Sequence, residues 1–166
     1  GVRRLRDGIQ WMLGPEPKNL SLTWTQGVLQ LFLRENGEEY SLNSVSNLPI
    51  PKWGGNLLLL EGTDTTNPNC LKGLLWATPF MDDIVRVAAF SITAELQSKG
   101  YGRMAWNSFV GSAIEAGFSK VQLEVKASNI RGQEFYRQRG LVVMNELQGY
   151  YSSGLGYMMR GDLNKY

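Results

Sequence analysis

Hydrophobic and polar positions alternate strictly along Lys120–Lys126, in the second half of the chain. Val121, Leu123 and Val125 fall on one side of this segment, and polar residues fall on the other. A period of two is typical of a strand with one buried face, so the pattern predicts a strand here. Ile84–Thr93, which is rich in β-branched and aromatic residues, predicts a second strand.

A helix is predicted after each of these strands. Apolar residues recur at helical spacing from about Tyr101 to Ala116, and Gly117 stands where a helix commonly ends. Ser128 and Asn129 are residue types that cap helix starts, so we expect a second helix from there to Arg139. Two further strands are predicted after it, Leu141–Leu147 and Tyr157–Leu163, around the loop Gln148–Gly156.

Glycine and proline divide the first half of the chain into shorter segments. Leu22–Arg34 has the apolar spacing of a helix, whereas Asn56–Glu61 and Leu71–Thr78 are predicted to be strands of a hairpin joined by the loop Glu61–Asn69. Together these elements predict a mixed α/β fold. A chain of 166 residues is the usual size of one domain, and we expect a single domain over residues 1–166.

The chain contains no histidine and one cysteine, Cys70. The absence of histidine excludes Ser-His-Asp and Cys-His nucleophile systems, histidine metal sites and a histidine base. One cysteine cannot form an intrachain disulfide or a multi-cysteine metal site, and we expect Cys70 to be a small buried apolar residue. We therefore expect no metal, and any enzymatic proton transfer must use Glu, Asp, Tyr, Lys or water.

Charge and hydropathy give no sign of a nucleic-acid or membrane partner. Lys plus Arg (17) against Asp plus Glu (15) leaves a net charge of +2, which tolerates an anionic ligand. No unbroken apolar run exceeds four residues, the length of Leu57–Leu60, which is far short of a membrane span, and no secretory signal pattern is present. We expect a cytoplasmic protein, and the sequence does not predict its oligomeric state.

A glycine-bearing turn connects the predicted strand Ile84–Thr93 to the helix that follows, with the sequence Gln97-Ser98-Lys99-Gly100-Tyr101-Gly102-Arg103. Glycine lets the backbone approach a ligand, and the free N–H groups of a helix start attract anions such as a diphosphate. Lys99 and Arg103 would add positive charge. The spacing is neither a P-loop nor a dinucleotide fingerprint, and a plain tight connection is the alternative.

Glu124 and Tyr136 are the candidate acid–base residues. Glu124 lies mid-strand on the polar side, where a carboxylate lining a cleft is the natural base in a chain without histidine. The alternative for Glu124 is a solvated strand face or an ion pair with Lys126. Tyr136 falls in the following helix beside Phe135, and its alternative role is core packing with a satisfied hydroxyl.

Tyr150 and Tyr151 form a third candidate, within the Ser/Gly-rich segment Gln148-Gly149-Tyr150-Tyr151-Ser152-Ser153-Gly154. Tyrosine offers apolar area and a hydrogen bond at little entropic cost, so the pair is suited to clamp a peptide backbone. The alternative is a hairpin whose aromatic side chains fold back on the body of the protein.

Taken in order, these signals resemble the GNAT superfamily of acyl-CoA N-acyltransferases over Asp82–Leu163. Phe90-Ser91-Ile92 is similar to the end of that fold's splayed fourth strand, and Gln97–Gly102 matches its Q/R-x-x-G-x-G/A pyrophosphate turn. Leu123–Asn129 followed by Glu134–Leu141 resembles the "LEVRxSN…ALYxxxGF" run of the ribosomal-protein alanine N-terminal acetyltransferases. The resemblance implies a mixed sheet with a splayed pair of strands at the acyl-CoA site and helices on both faces.

The resemblance also divides the chain and assigns an acetyl-CoA site. Residues 82–163 would form the acetyl-CoA-binding half, and residues 1–81 the variable substrate-side half. The backbone of Phe90, Ser91 and Ile92 would hold the pantetheine arm and polarise the thioester carbonyl. The turn from Gln97 to Arg103 would bind the pyrophosphate, and Asn129 would contact the cofactor.

For catalysis, the resemblance implies Glu124 as the base, acting directly or through water, and Tyr136 as the acid that protonates the leaving thiolate near the cofactor sulfur. Tyr150 and Tyr151 match a tyrosine pair that N-terminal acetyltransferases place over the first residues of the substrate. Attack by a neutral amine on a thioester needs no covalent nucleophile, so a chain without histidine is suited to it.

The acceptor is predicted from the energy needed to deprotonate an amine. At pH 7 an α-amino group with a pKa of ~7.8 costs about 1 kcal/mol to deprotonate, whereas a lysine at ~10.4 costs about 4.6 kcal/mol. The favoured acceptor is therefore the N-terminus of a protein or peptide. One alternative is a small amine such as a polyamine or aminoglycoside, drawn into an acidic cleft supplied by Glu35, Glu38, Glu39 and Glu61. Another is a non-catalytic acyl-CoA sensor.

Overall fold

The computed structural model describes residues 8–62, 64–151 and 154–164, which form a seven-stranded mixed sheet with helices on both faces. The strands are β1 (Ile9–Leu13), β2 (Asn56–Glu61), β3 (Leu71–Met81), β4 (Ile84–Ile92), β5 (Lys120–Lys126), β6 (Val142–Tyr151) and β7 (Gly154–Asp162). The α-helices are α1 (Leu22–Asn36), α2 (Leu42–Ser46), α3 (Tyr101–Glu115) and α4 (Ile130–Gln138). The predicted mixed α/β fold is confirmed.

The strands lie in the order β1-β2-β3-β4-β5-β7-β6. All neighbours are antiparallel except β4 and β5, which are parallel because α3 carries the chain back across the sheet between them. One face packs against α3 through Trp106 and Phe109, and the other packs against α1 through Val28, Leu31 and Phe32. Cys70 is buried on the α1 side, as expected.

The splayed pair of strands is confirmed at β4 and β5. Their pairing extends only from Ile84–Lys120 to Val87–Leu123, although β4 continues to Ile92 and β5 to Lys126. The register between β3 and β4 shifts just beyond this point, where Ala88 is the extra residue. Such a bulge bends a strand locally, and the two strands separate from here on.

Helix ends follow the predicted signals closely. The Asn129 side chain accepts a hydrogen bond from the N–H of Gly132 (2.8 Å) and caps α4, and Gly117 lies just beyond the end of α3 in the left-handed region at φ 94°. Helix α1 runs two residues past the predicted Arg34, to Asn36, and Gly37, which was not predicted as its end, follows at φ 69°. Strand β1 and the short helix α2 were not predicted. A five-residue strand and a five-residue helix offer too few positions for a period to emerge.

The predicted loop Gln148–Gly156 is wrong for its described residues, and its residues 152 and 153 lie outside the described part of the chain. Strand β6 continues to Tyr151 and β7 begins at Gly154, with Leu147 paired to Gly156 and Tyr151 to Gly154. The polar, glycine-rich composition of this segment suggested a loop. The hydrogen bonds between β6 and β7 are made by the backbone, however, and they need no apolar side chain. Among the described residues, no helix is long and apolar enough to cross a bilayer.

Candidate active site

A cleft of about 1380 Å³ opens where β4 and β5 separate. It brings together all but one of the site residues named from the sequence, since only the side chain of Tyr101 lies elsewhere. The residues concerned are Phe90, Ser91, Ile92, Gln97, Ser98, Lys99, Gly100, Gly102, Arg103, Glu124, Asn129, Tyr136, Tyr150 and Tyr151. Three motifs that are far apart in the sequence therefore share one cavity.

The glycine-bearing turn forms a cationic end of this cleft. Ser98 (φ 61°) and Gly100 (φ 96°) both adopt left-handed backbone conformations, and no side chain in the described structure caps α3 at Gly100. The first N–H groups of a helix have no partner within it, so they remain available to an anion. Arg131 donates a hydrogen bond to the Ser98 hydroxyl, which adds a third cation to Lys99 and Arg103.

Tyr101 can offer only its backbone to a ligand in the cleft. Its side chain is buried in a cluster with Ile9, Leu59 and Leu96. Its carbonyl accepts a hydrogen bond from the indole N–H of Trp11 (2.9 Å). The tyrosine in the middle of the turn therefore anchors the start of α3 to the body of the protein.

Gln97 and Asn129 are both engaged in holding the backbone around the cleft. The Gln97 amide donates to the carbonyl of Ile92 (2.8 Å) and so ties the turn to the end of β4. The Asn129 oxygen is used by the α4 cap, and a Cβ at Gly132 would lie 2.5 Å from the Asn129 amide nitrogen. A side chain at position 132 would therefore require the Asn129 side chain to shift.

Glu124 is bound by an arginine of the neighbouring strand. The Arg86 Nε lies 2.9 Å from Oε1 and 3.1 Å from Oε2 of Glu124, and Nη2 of Arg86 donates to the Tyr150 hydroxyl (3.3 Å). The alternative of a Glu124–Lys126 pair is wrong, because Lys126 lies 2.9 Å from Glu38 instead. Burial disfavours the charged guanidinium, but the adjacent Glu124 carboxylate outweighs it and raises the pKa of Arg86.

Tyr136 packs on the floor of the cleft against aromatic rings. Its ring centroid lies 5.7 Å from that of Trp106 and 5.5 Å from that of Phe135. Tyr136 thus packs against the core as its alternative role expected, and no described residue forms a hydrogen bond with its hydroxyl. Burial raises the pKa of Tyr136, so the phenol stays protonated at neutral pH.

Tyr150 and Tyr151 stand edge to face, with ring centroids 4.9 Å apart. The Lys126 ammonium lies 5.7 Å from the Tyr151 ring centroid. Burial is the largest cause raising the pKa of Tyr151, followed by the neighbouring Tyr150 and Tyr40 hydroxyls. Both rings face the cleft, and Tyr150 remains about half exposed at its mouth.

Four polar residues of the site were missed from the sequence: Asn36, Tyr40, Arg86 and Arg131. Arg86 could have been identified from the sequence, because it is the only charged residue in the predicted strand Ile84–Thr93. Asn36 ends α1 and Tyr40 follows it, and both reach the cleft only through tertiary contacts, such as the hydrogen bond from Asn36 to the Ser91 hydroxyl (2.9 Å). No local pattern marks them.

The acidic cleft proposed for a polyamine acceptor is only partly present. Glu35 and Glu38 line the cavity, whereas Glu39 and Glu61 do not. Glu35 is paired with Arg34 (3.2 Å) and Glu38 with Lys126 (2.9 Å). No three described histidine, cysteine or acidic residues are placed to hold a metal ion.

Comparison with known proteins identifies the family. The sequence model described as "Acetyltransferase (GNAT) family" matches residues 28–141. No curated protein sequence matches the chain.

Solved structures share the fold at low sequence identity. Ard1 from Thermoplasma volcanium is similar at 19% identity and a TM-score of 0.78, over 95% of this chain and 99% of that one. The ribosomal-protein-S18-alanine N-acetyltransferase from Escherichia coli is similar at 15% identity and a TM-score of 0.72, over 95% and 96%. Arabidopsis thaliana Naa50, in complex with the bisubstrate analogue CoA-Ac-MVNAL, is similar at 12% identity and a TM-score of 0.68, over 92% and 97%.

Proposed function

The chain belongs to the acetyltransferase (GNAT) family and is an acyltransferase; on that premise, we propose that it transfers an acetyl group from acetyl-CoA to the N-terminal α-amino group of a protein or peptide. The observation that carries this proposal is the convergence on one cleft of an uncapped, cationic helix start, a carboxylate on β5 and a protonated tyrosine on α4.

The cationic end of the cleft suits the pyrophosphate of acetyl-CoA. The N–H groups at the start of α3 would bind its oxygens, and Lys99, Arg103 and Arg131 would balance their charge. Beyond Val87, the backbone of β4 is not paired with β5, so Phe90, Ser91 and Ile92 have an edge at which an extended pantetheine arm can bind. When bound, acetyl-CoA supplies an activated thioester.

Glu124 would receive the proton of the attacking amine. The single N–H of Arg86 Nε is shared between the two carboxylate oxygens, and each oxygen keeps a lone pair for the amine or for an intervening water. An α-ammonium group requires about 1 kcal/mol for deprotonation at pH 7, and a lysine about 4.6 kcal/mol, so a carboxylate is an adequate base for the former.

Tyr136 would donate a hydrogen bond to the departing sulfur. Because its hydroxyl has no partner among the described residues and its pKa is raised by burial, it is present as a free proton donor across the neutral range. The Trp106 and Phe135 rings fix its position at the base of the cleft.

An N-terminal acceptor is supported by the mouth of the cleft. Tyr150, Tyr151 and Tyr40 offer hydroxyl groups and flat apolar faces to an incoming backbone. The carboxylates that line this end, Glu35, Glu38 and Glu124, are each paired with a cation, which disfavours a polycationic acceptor. Among the structural neighbours, Naa50 is bound to a peptide-based bisubstrate analogue.

The test follows thiol release from acetyl-CoA with two matched peptide pools. One pool has free N-termini and no lysine, and the other has blocked N-termini and internal lysines. We expect turnover with the first pool only. Turnover with the second pool alone, or with neither pool while acetyl-CoA still binds, would overturn the N-terminal acceptor and favour a lysine or small-amine acceptor, or a sensor.

A further inference from the structure

The acceptor end of the cleft presents a cation in front of its candidate base. In the Arg86–Glu124 pair, the arginine side chain is 25% exposed and the glutamate side chain 13%. The guanidinium is therefore the more accessible group of the pair, and an amine that reaches Glu124 lies beside a positive charge.

The arginine is held firmly in this place. Its Nε binds both oxygens of Glu124, and its Nη2 donates to the Tyr150 hydroxyl at the mouth of the cleft. Glu38, on the opposite wall, is bound by Lys126 and so supplies no unbalanced negative charge. A protonated amine consequently finds repulsion at short range, and the described carboxylates that line the cleft are all paired with cations and do not offset it.

We propose that Arg86 is a specificity-determining residue that makes the acceptor site select uncharged amines, and thereby α-amino groups over lysine side chains and polyamines. The inference rests on the proposed function for the identity of the favoured acceptor. At pH 7, about 14% of an α-amino group with a pKa near 7.8 is neutral, against about 0.04% of a lysine near 10.4. A site that admits only the neutral form therefore discriminates about 300-fold without recognising any side chain.

The structure offers a matched control on the same sheet. Arg160 on β7 donates through Nε to the amide oxygen of Gln122 on β5 (3.1 Å). This pair resembles the pair of Arg86 and Glu124, because Glu124 lies on the same strand, two residues after Gln122. Arg160 does not line the cleft. Arg160→Met thus removes a similar side chain from a neighbouring pair and leaves the proposed acceptor site intact.

The test measures spermidine binding to CoA-saturated protein by calorimetry at pH 7.5. We expect weak binding by the wild type and by Arg160→Met, and binding at least tenfold tighter by Arg86→Met, in which Glu124 loses its cation. The double variant Arg86→Met with Glu124→Gln should lose this gain. Arg86→Lys, which keeps the positive charge, should bind spermidine as weakly as the wild type.

Two results would overturn the proposal: equal spermidine affinity in Arg86→Met and the wild type, or tight spermidine binding by the wild type. CoA affinity measured for each variant shows whether it is folded, and Arg86→Gln replaces Arg86→Met if the latter does not bind CoA. The readout is independent of turnover. If the wild type acetylates no free N-terminus, the proposed function is contradicted. The spermidine measurement would still decide whether Arg86 excludes charged amines.

Discussion

The Lys126 ammonium lies 2.9 Å from the Glu38 carboxylate and joins the end of β5 to the segment that follows α1. Lys126 also donates to the carbonyl of Asn36, whose side chain in turn donates to the Ser91 hydroxyl on β4. The end of α1 and the segment after it are thereby attached to both strands beyond the point where they separate. This bridge fixes the substrate-side wall of the cleft.

Removal of the Lys126 ammonium should destabilise the fold. In Lys126→Met, the largely buried Glu38 carboxylate loses its cation, and we expect unfolding free energy to fall by about 2–4 kcal/mol in urea denaturation. The exposed Lys120–Asp162 pair is the control, and Lys120→Met should leave the urea midpoint nearly unchanged. Equal effects of the two substitutions would contradict the structural role of Lys126.

Gly156 makes room for the ring of Tyr151. A Cβ at position 156 would lie 2.6 Å from Cε2 of Tyr151 and 3.2 Å from the Val125 carbonyl. Gly156→Ala should displace the ring, lower stability by about 1–3 kcal/mol and raise the KM for a peptide acceptor more than the KM for acetyl-CoA. The control is Gly111→Ala, within α3, where no atom lies near the added methyl and we expect about 0.5–1 kcal/mol of stabilisation.

Loss of the candidate base or acid should lower turnover without unfolding the protein. We expect Glu124→Gln and Tyr136→Phe each to reduce kcat by about 10²–10⁴-fold, the usual range for a general acid or base. Steady-state kinetics with the free-N-terminus peptide pool provides the measurement. Glu134→Gln, on the exposed side of α4, is the matched control and should retain wild-type kcat. Near-wild-type turnover in both site variants would refute the assigned roles.

Stability should fall at high pH because of Tyr136 and Tyr151. Burial raises the pKa of both phenols above the ordinary value of 10.0, so the folded state retains protons that the unfolded state releases. Their contribution is constant below pH 10 and is lost as pH rises further, by up to about 1.4 kcal/mol per pH unit for each phenol. Urea denaturation from pH 8 to 11.5 should show this decline, and it should be shallower in Tyr136→Phe. An identical slope in that variant would exclude Tyr136 as its source.

Much of the fold could be predicted from short-range patterns. Strict alternation fixed Lys120–Lys126 as a strand, and the capping chemistry of Asn129 marked the start of α4. The turn around Gly100 was identified from its glycines. The structure gives the reason for glycine at position 100, because its φ of 96° is a conformation that favours glycine. These features depend on residues within one or two turns of each other, and the sequence therefore contains all the information they need.

The sequence thus determined the element types, the glycine-bearing turn and the residue types available for chemistry, whose catalytic roles stay predictions. Tertiary structure alone decided that Glu124 is bound by Arg86 and not by Lys126, that Lys126 pairs with Glu38, that Asn36 reaches the cleft, and that the described residues of Gln148–Gly156 are largely strand. The reason is physical. Ion pairs and strand ladders between distant segments depend on register and on the path of the chain, and local propensity specifies neither of these.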